Sequence, residues 1–156
     1  MFDVNKSLQD TFAPNNMCFG CGPKNSQGLR IKSMVEGETV VALFSPQPHH
    51  QAFDNVLSGG ICGTLLDCHS NWCAAYFIMK KQNEDAPPCT VTARYSVDLF
   101  HPTPMNKPLQ LIARPVAVGE RKAEVSAELL ADGVCTAKCN GIFVAVSPGH
   151  PAYHRW

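Results

Sequence analysis

Gly59-Gly60-Ile61-Cys62-Gly63-Thr64-Leu65-Leu66-Asp67-Cys68-His69-Ser70-Asn71-Trp72-Cys73-Ala74-Ala75-Tyr76-Phe77-Ile78-Met79 is the stretch whose reading decides the fold. Ile61, Leu65, Leu66, Trp72, Ala75, Tyr76 and Met79 recur at helical spacing, and Cys62, Cys68, Cys73, Ala74, Phe77 and Ile78 fill most of the remaining circumference. A helix that is apolar nearly all round is a buried one. Ser58 stands where its N-cap belongs. Between Asn55 and Met79 the only formally charged residue is Asp67. An ionised carboxylate in apolar surroundings is costly unless it is paired, hydrogen-bonded or reached by water. Asp67 is therefore the first candidate for chemistry. The alternative is a structural acid on a small exposed facet, or one satisfied by Thr64, Asn71 or a strand hydroxyl.

Outward from this helix the chain reads as strands. Leu29 to Met34 and Thr39 to Phe44 form a hairpin about Glu36-Gly37-Glu38, and Pro46 to Ser58 is a polar loop. After Pro87-Pro88, Thr90, Thr92, Arg94, Ser96 and Asp98 alternate with Val91, Ala93, Tyr95, Val97 and Leu99, which predicts a strand with one wet and one dry face. Leu109 to Val118 is a strand whose Pro115 marks an edge or a bulge. Gly119-Glu120 and Asp132-Gly133 suit tight turns around the next strand. Val134 to Val146 is the last strand, with Cys135, Ala137, Cys139 and Gly141 on one face, small enough for a helix to approach closely. The expected fold is α+β: two strands, a long helix, then four antiparallel strands, with the sheet covering the helix. All 156 residues make one domain, with an irregular lead-in at 1–28 and a polar tail at 147–156.

Composition narrows the function. Lys+Arg and Asp+Glu both number 13, so no basic field exists to hold a nucleic acid or an anionic membrane. No apolar run is long enough to span a bilayer, and Met1 to Lys6 lacks the apolar core of a secretory signal. The expected location is the cytoplasm, with the eight cysteines as thiols. Zero net charge favours a closed oligomer over a lone monomer.

Backbone N–H groups in the first turn of a helix lack intrahelical partners, and Gly59-Gly60 leaves them unshielded, so a carbonyl oxygen could be polarised there. Donors for a developing oxyanion, together with a carboxylate, form a hydrolytic pair for an acyl bond. The competing reading of the two glycines is close packing against a neighbouring strand.

Ser58-Gly59-Gly60-Ile61-Cys62-Gly63-Thr64-Leu65-Leu66-Asp67 resembles the His-Gly-Gly-x-x-x-x-Leu-x-Asp signature of hot-dog-fold acyl-CoA thioesterases of the PaaI-like, phenylacetate-degradation type. Cys18-Phe19-Gly20-Cys21-Gly22 with Asn25 and Gly28-Leu29 resembles the opening motif of one branch, and Val91-Thr92 through Pro102-Thr103-Pro104 resembles the strand after the helix. The resemblance implies a hot-dog fold, a long central helix wrapped by a curved antiparallel sheet of about six strands. It implies hydrolysis of an acyl-CoA, with coenzyme A as part of the substrate and no separate cofactor. Asp67 is then the general base or nucleophile, and the Gly59 N–H, with Gly60, is the oxyanion site. Thr92 is the hydroxyl residue that reaches the acid of the neighbouring subunit, in a homodimer or dimer of dimers. Arg121 and Lys122 correspond to residues that contact the coenzyme's phosphates, or are ordinary solvated charges at a hairpin. Ser58 replaces the signature histidine and cannot carry a proton near neutral pH. Ala52 stands where many relatives carry Asn, and the adjacent His50 and Gln51 are candidates to hold water or the carbonyl. These two departures motivate the alternative, a non-catalytic acyl-CoA or small-ligand binding module. A purely structural oligomerisation domain is the third reading.

Other chemistry ranks lower. Cys18 and Cys21 have metal-ligand spacing, but a closed zinc site needs four ligands, and no second pair is evident. Cys135 and Cys139 would lie ~13 Å apart on a strand, and His69 and Cys73, one helical turn apart, suit packing better than chelation. The expectation is no metal. Gly22-Pro23 follows Cys21 where a redox helix would begin, and an apolar pocket would oppose ionisation of Cys62.

Overall fold

The computed structural model describes residues 5–154 and 156. Residues 1–4, within the stretch read for a secretory signal, and Arg155 in the tail lie outside the described residues.

The long helix forms as its pattern requires. In chain order the elements are α1 (Leu8–Phe12), β1 (Met34–Glu36), β2 (Thr39–Phe44), a 3₁₀ turn (Pro48–His50), a small hairpin of β3 (Gln51–Phe53) and β4 (Val56–Leu57), then α2 (Gly59–Gln82). β5 (Thr90–Leu99), β6 (Leu109–Val118), β7 (Lys122–Ala131) and β8 (Val134–Ala145) follow. α2 runs 24 residues, about 36 Å. It ends at Asn83, whose left-handed conformation (φ 55°) stops the helix, with Lys80 and Lys81 against the negative end of its dipole.

Six strands form one antiparallel sheet in the order β1-β2-β6-β7-β8-β5, and β3-β4 stands apart. α2 packs on the face built by β5, β6, β7 and β8. Leu65, Leu66, Trp72 and Ile78 from the helix meet a core that includes Leu109, Leu111, Val125, Leu129 and Phe143, all essentially without solvent exposure. Each such side chain contributes about 1.5–3 kcal/mol by leaving water. Ala137, Cys139 and Gly141 are buried on β8, so the small face predicted there lies toward the core. Cys135 does not share it fully, because the ladder slips between Leu129 and Leu130 and leaves Cys135 half-buried. Asp132 and Gly133 both take positive φ, 48° and 77°, as a two-residue hairpin turn demands.

Several expectations change. Leu29 to Ser33 is not strand: the Leu29 and Ile31 amides donate to Phe19 O and Gly20 O in the lead-in, and pairing with β2 begins only at Met34. The lead-in itself contains α1, capped by Ser7, whose Oγ accepts from the Asp10 amide at 3.0 Å. Pro115 marks a bulge, between Pro115 and Ala117, and β2 pairs with β6 only as far as Ala113. The even alternation of β5 fails. Its ladder slips between Thr92 and Arg94, Thr90 is fully buried, and most residues from Ala93 to Leu99 are exposed on this edge strand. The tail ends in an aromatic contact, Trp156 standing edge-on to Trp72 with ring centres 4.1 Å apart.

Candidate active site

The first turn of α2 is held from outside. Ser58 N donates to His50 O at 2.9 Å, and Cys62 N donates to Ser58 O at 3.0 Å. Ser58 occupies the N-cap position, but its side chain makes no capping bond. Gly59 and Gly60 are exposed. A Cβ at Gly59 would stand 3.3 Å from Leu99 Cδ1, so an apolar wall closes on this glycine. That wall belongs to a cleft of about 290 Å³, lined by Phe53, Gly59, Cys62, Leu99, Phe100 and Thr103 among others. First-turn N–H groups beside an apolar cleft are suited to a carbonyl carried on an apolar group.

Asp67 lies half-buried about 12 Å further along the helix. Its Oδ1 accepts a 2.6 Å hydrogen bond from Thr92 Oγ1 of the same chain. Within one chain, then, Thr92 meets Asp67 of its own helix, and the face of β5 expected to be wet carries the hydroxyl toward α2 ahead of the register shift between Thr92 and Arg94. A short bond to a carboxylate fixes its orientation and favours its charged form.

The other predicted residues are not gathered here. His50 is buried, and its Nδ1 accepts from Gln47 N at 3.0 Å. Burial, then the charge of His49, lowers its pKa. Its carbonyl, not its ring, reaches the helix start. Gln51 and Ala52 are exposed on β3. Arg121 and Lys122 lie at the opposite end of α2, where Gln82 donates to Glu120 O. The Arg121 guanidinium bonds Ala145 O at 2.9 Å and Ser147 Oγ at 2.8 Å, and Lys122 is exposed.

Cys62 does not behave as a nucleophile. It is buried with Sγ 3.7 Å from Thr103 Oγ1, and burial raises its pKa. Nor do His69 and Cys73 chelate. Both His69 nitrogens are engaged, Nδ1 with Ser33 Oγ and Nε2 with Val40 O, each at 2.8 Å, and burial pushes Cys73 up to about 12. The residue missed from the sequence is Cys68. Its Sγ lies within 4.8 Å of those of Cys18 and Cys21, and its signal was the Cys-x-x-Cys spacing itself, which asks for further sulfur ligands.

No family model and no curated protein matches the sequence. Solved structures do. A thioesterase superfamily protein from Shewanella loihica PV-4 is 31% identical, with a TM-score of 0.64, over 75% of this chain and 91% of that one. The Escherichia coli PaaI protein, from the phenylacetic acid degradation operon, matches at 13% identity and a TM-score of 0.65 over 76% of this chain and 81% of that one. A Streptococcus mutans UA159 protein bound to acetyl-CoA matches at 15% identity and a TM-score of 0.62, over 75% and 89% respectively. The chain belongs to the thioesterase superfamily and has its hot-dog fold, one long helix packed against a six-stranded antiparallel sheet. Among the described residues, no helix is long and apolar enough to cross a membrane.

Proposed function

We propose that the protein hydrolyses an acyl-CoA thioester at a site shared between two copies of the chain. The observation that carries this reading is Asp67, the one acidic residue of α2, half-buried and bonded at 2.6 Å to Thr92, on the same helix whose first turn borders an apolar cleft. In one chain these parts are about 12 Å apart. A single carbonyl group cannot touch both. Two copies related by a two-fold axis, with their helices antiparallel, would set Gly59 of one against Asp67 of the other.

In the general-base form, Asp67 takes a proton from water as its oxygen bonds to the thioester carbonyl carbon. The carbonyl oxygen gains negative charge against the Gly59 N–H, with Gly60 beside it. The C–S bond then breaks, and the thiolate leaves with a proton as free coenzyme A. In the nucleophilic form, the carboxylate itself attacks, and water opens the resulting anhydride. The cleft beside Gly59 takes the acyl group. Arg121 and Lys122 meet the phosphates only if the coenzyme runs along α2, since Gln82 is about 22 Å beyond Asp67. The acetyl-CoA held by the Streptococcus mutans relative supports a coenzyme A ester as ligand.

Ser58, in place of the signature histidine and without a capping bond, supports a second reading, binding without turnover. Thiol release from a panel of acyl-CoA esters separates the two. The expected result is turnover by wild type and a loss of about 10²–10⁴-fold in Asp67→Asn. Equal rates from both proteins would remove Asp67 from the mechanism, and tight binding with no turnover by wild type would establish the second reading.

A further inference from the structure

The lead-in loop lies on α2 with an intimacy that its turn residues alone do not require. A Cβ at Gly20 would stand 2.4 Å from Cys68 Sγ and 2.9 Å from Thr64 Cγ2, so glycine there lets the loop rest against the helix. Gly22 is equally constrained, its would-be Cβ 2.4 Å from both Asn16 O and Cys18 N. Asn16 Oδ1 accepts from Cys18 N at 2.7 Å, and Gly22 N donates to Cys18 O at 2.8 Å. This fixed turn aims Cys18 and Cys21 at one point, and α2 supplies Cys68 to the same point.

All three Sγ atoms lie within 4.8 Å of one another, and Cys18 and Cys68 are 3.8 Å apart. A zinc ion bound by sulfurs at about 2.3 Å in tetrahedral geometry separates them by about 3.8 Å. We propose that Cys18, Cys21 and Cys68 form a three-sulfur site for a soft d¹⁰ metal ion, zinc in the first instance, that clips the lead-in loop to the helix carrying Asp67.

The three sulfurs also interact with one another and with their surroundings. Trp72 Nε1 donates to Cys21 Sγ at 3.4 Å. Hydrogen bonds from the thiols of Cys21 and Cys68, and from the amides of Cys21 and Gly20, hold Cys18 far below the ordinary thiol range against the opposing effect of burial. Sharing a proton with Cys18 raises Cys21, and the same neighbours together with burial raise Cys68. A divalent ion at the common point of the three sulfurs would favour their thiolate forms. A disulfide would use two of these sulfurs and strand the third. Among the described residues no fourth His, Cys, Asp or Glu joins the group. The site therefore has the three-ligand form that keeps an exchangeable fourth position, and Cys18 and Cys68 are only half-buried, which leaves solvent a route to it.

The test uses the full-length protein, reduced, stripped with a chelator and titrated with Co²⁺ and with Zn²⁺ under anaerobic conditions. The expected result is one Co²⁺ per chain with thiolate charge-transfer bands and tetrahedral d–d bands, displaced by Zn²⁺. Cys18→Ser and Cys68→Ser should each weaken binding at least ~100-fold, whereas Cys135→Ser on β8 should change it no more than about twofold. Cys18→Ser, on the loop surface, decides the matter if Cys68→Ser fails to fold by circular dichroism. Absence of the charge-transfer bands, binding unaffected by Cys18→Ser, or a disulfide among these cysteines in the reduced preparation would overturn the site. None of these readouts depends on thioester hydrolysis, so the proposal stands or falls apart from the activity.

Discussion

Asp67 and His69 stand two residues apart on the same apolar helix, and the structure treats these two polar side chains in opposite ways. His69 is fully buried, and its bonds define a closed chain. Val40 O can only accept, so Nε2 carries the proton, Nδ1 accepts from the Ser33 hydroxyl, and Gln9 Nε2 donates to that hydroxyl at 2.9 Å. Burial pushes the ring down to about 4, so it is neutral at physiological pH. Asp67 is half-buried, is bonded to Thr92 on an edge strand, and keeps partial exposure to solvent. A polar group buried with its bonds internally complete specifies packing. One left at the boundary, oriented but accessible, is available for chemistry.

The strongest way to sharpen this contrast is to ask whether Asp67 works with its own helix start or with another chain's. Gly59 is the first helical residue, a position that tolerates proline, and Ser58 at φ −54°, ψ 131° already has the backbone that precedes one. Gly59→Pro therefore deletes the N–H while sparing the helix. Alone it should lower turnover about 10²–10³-fold, the usual cost of an oxyanion donor. Mixed in equal amounts with Asp67→Asn after joint refolding, it should recover ~25% of wild-type activity, because half the dimers are mixed and each of these holds one intact site. No recovery, with mixed dimers shown by mass spectrometry, would place both groups of a site in one chain.

His69 tests the other half of the contrast. His69→Leu leaves Val40 O and the Ser33 hydroxyl buried without their partner, and should cost about 3 kcal/mol in denaturant unfolding. Asp67→Asn, which keeps an acceptor for Thr92, should cost less than about 1 kcal/mol. The comparison breaks if the two variants lose equal stability.

Much of this was written in the sequence because α2, β6, β7 and β8 are long and periodic, and their turns carry residues suited to positive φ. Asp67 was legible as the lone charge in an apolar run, and Gly59 and Gly60 as an unshielded helix start. What was not legible depends on non-local geometry. The slip after Thr92 reverses which side of β5 faces α2, and no single-strand pattern contains that information. Gln9 and Ser33 look like surface residues until both are found buried with His69. Cys68 joins Cys18 and Cys21 only because two glycines let a loop lie directly on a helix.

The smallest expected effect concerns the second buried histidine, which stands between the two extremes. His50 is buried like His69, yet its ring has one fixed bond, Nδ1 accepting from Gln47 N, and its carbonyl anchors Ser58 at the start of α2. Protonation at Nδ1 turns the acceptor into a donor and breaks the bond that shapes the turn. Because burial and His49 set the folded pKa below the unfolded value of about 6.5, the unfolded chain binds the proton first. The stabilising contribution is complete above that value and is lost as pH falls through the lower folded value. His50→Asn retains a short acceptor and does not titrate. Wild type should therefore lose melting temperature relative to His50→Asn as pH falls below about 6.5, while His69 contributes equally to both proteins and cancels. A parallel pair of curves, or an NMR inflection for the His50 ring above 6.5, would show that His50 rests on the accessible side of the contrast with Asp67 rather than on the structural side with His69.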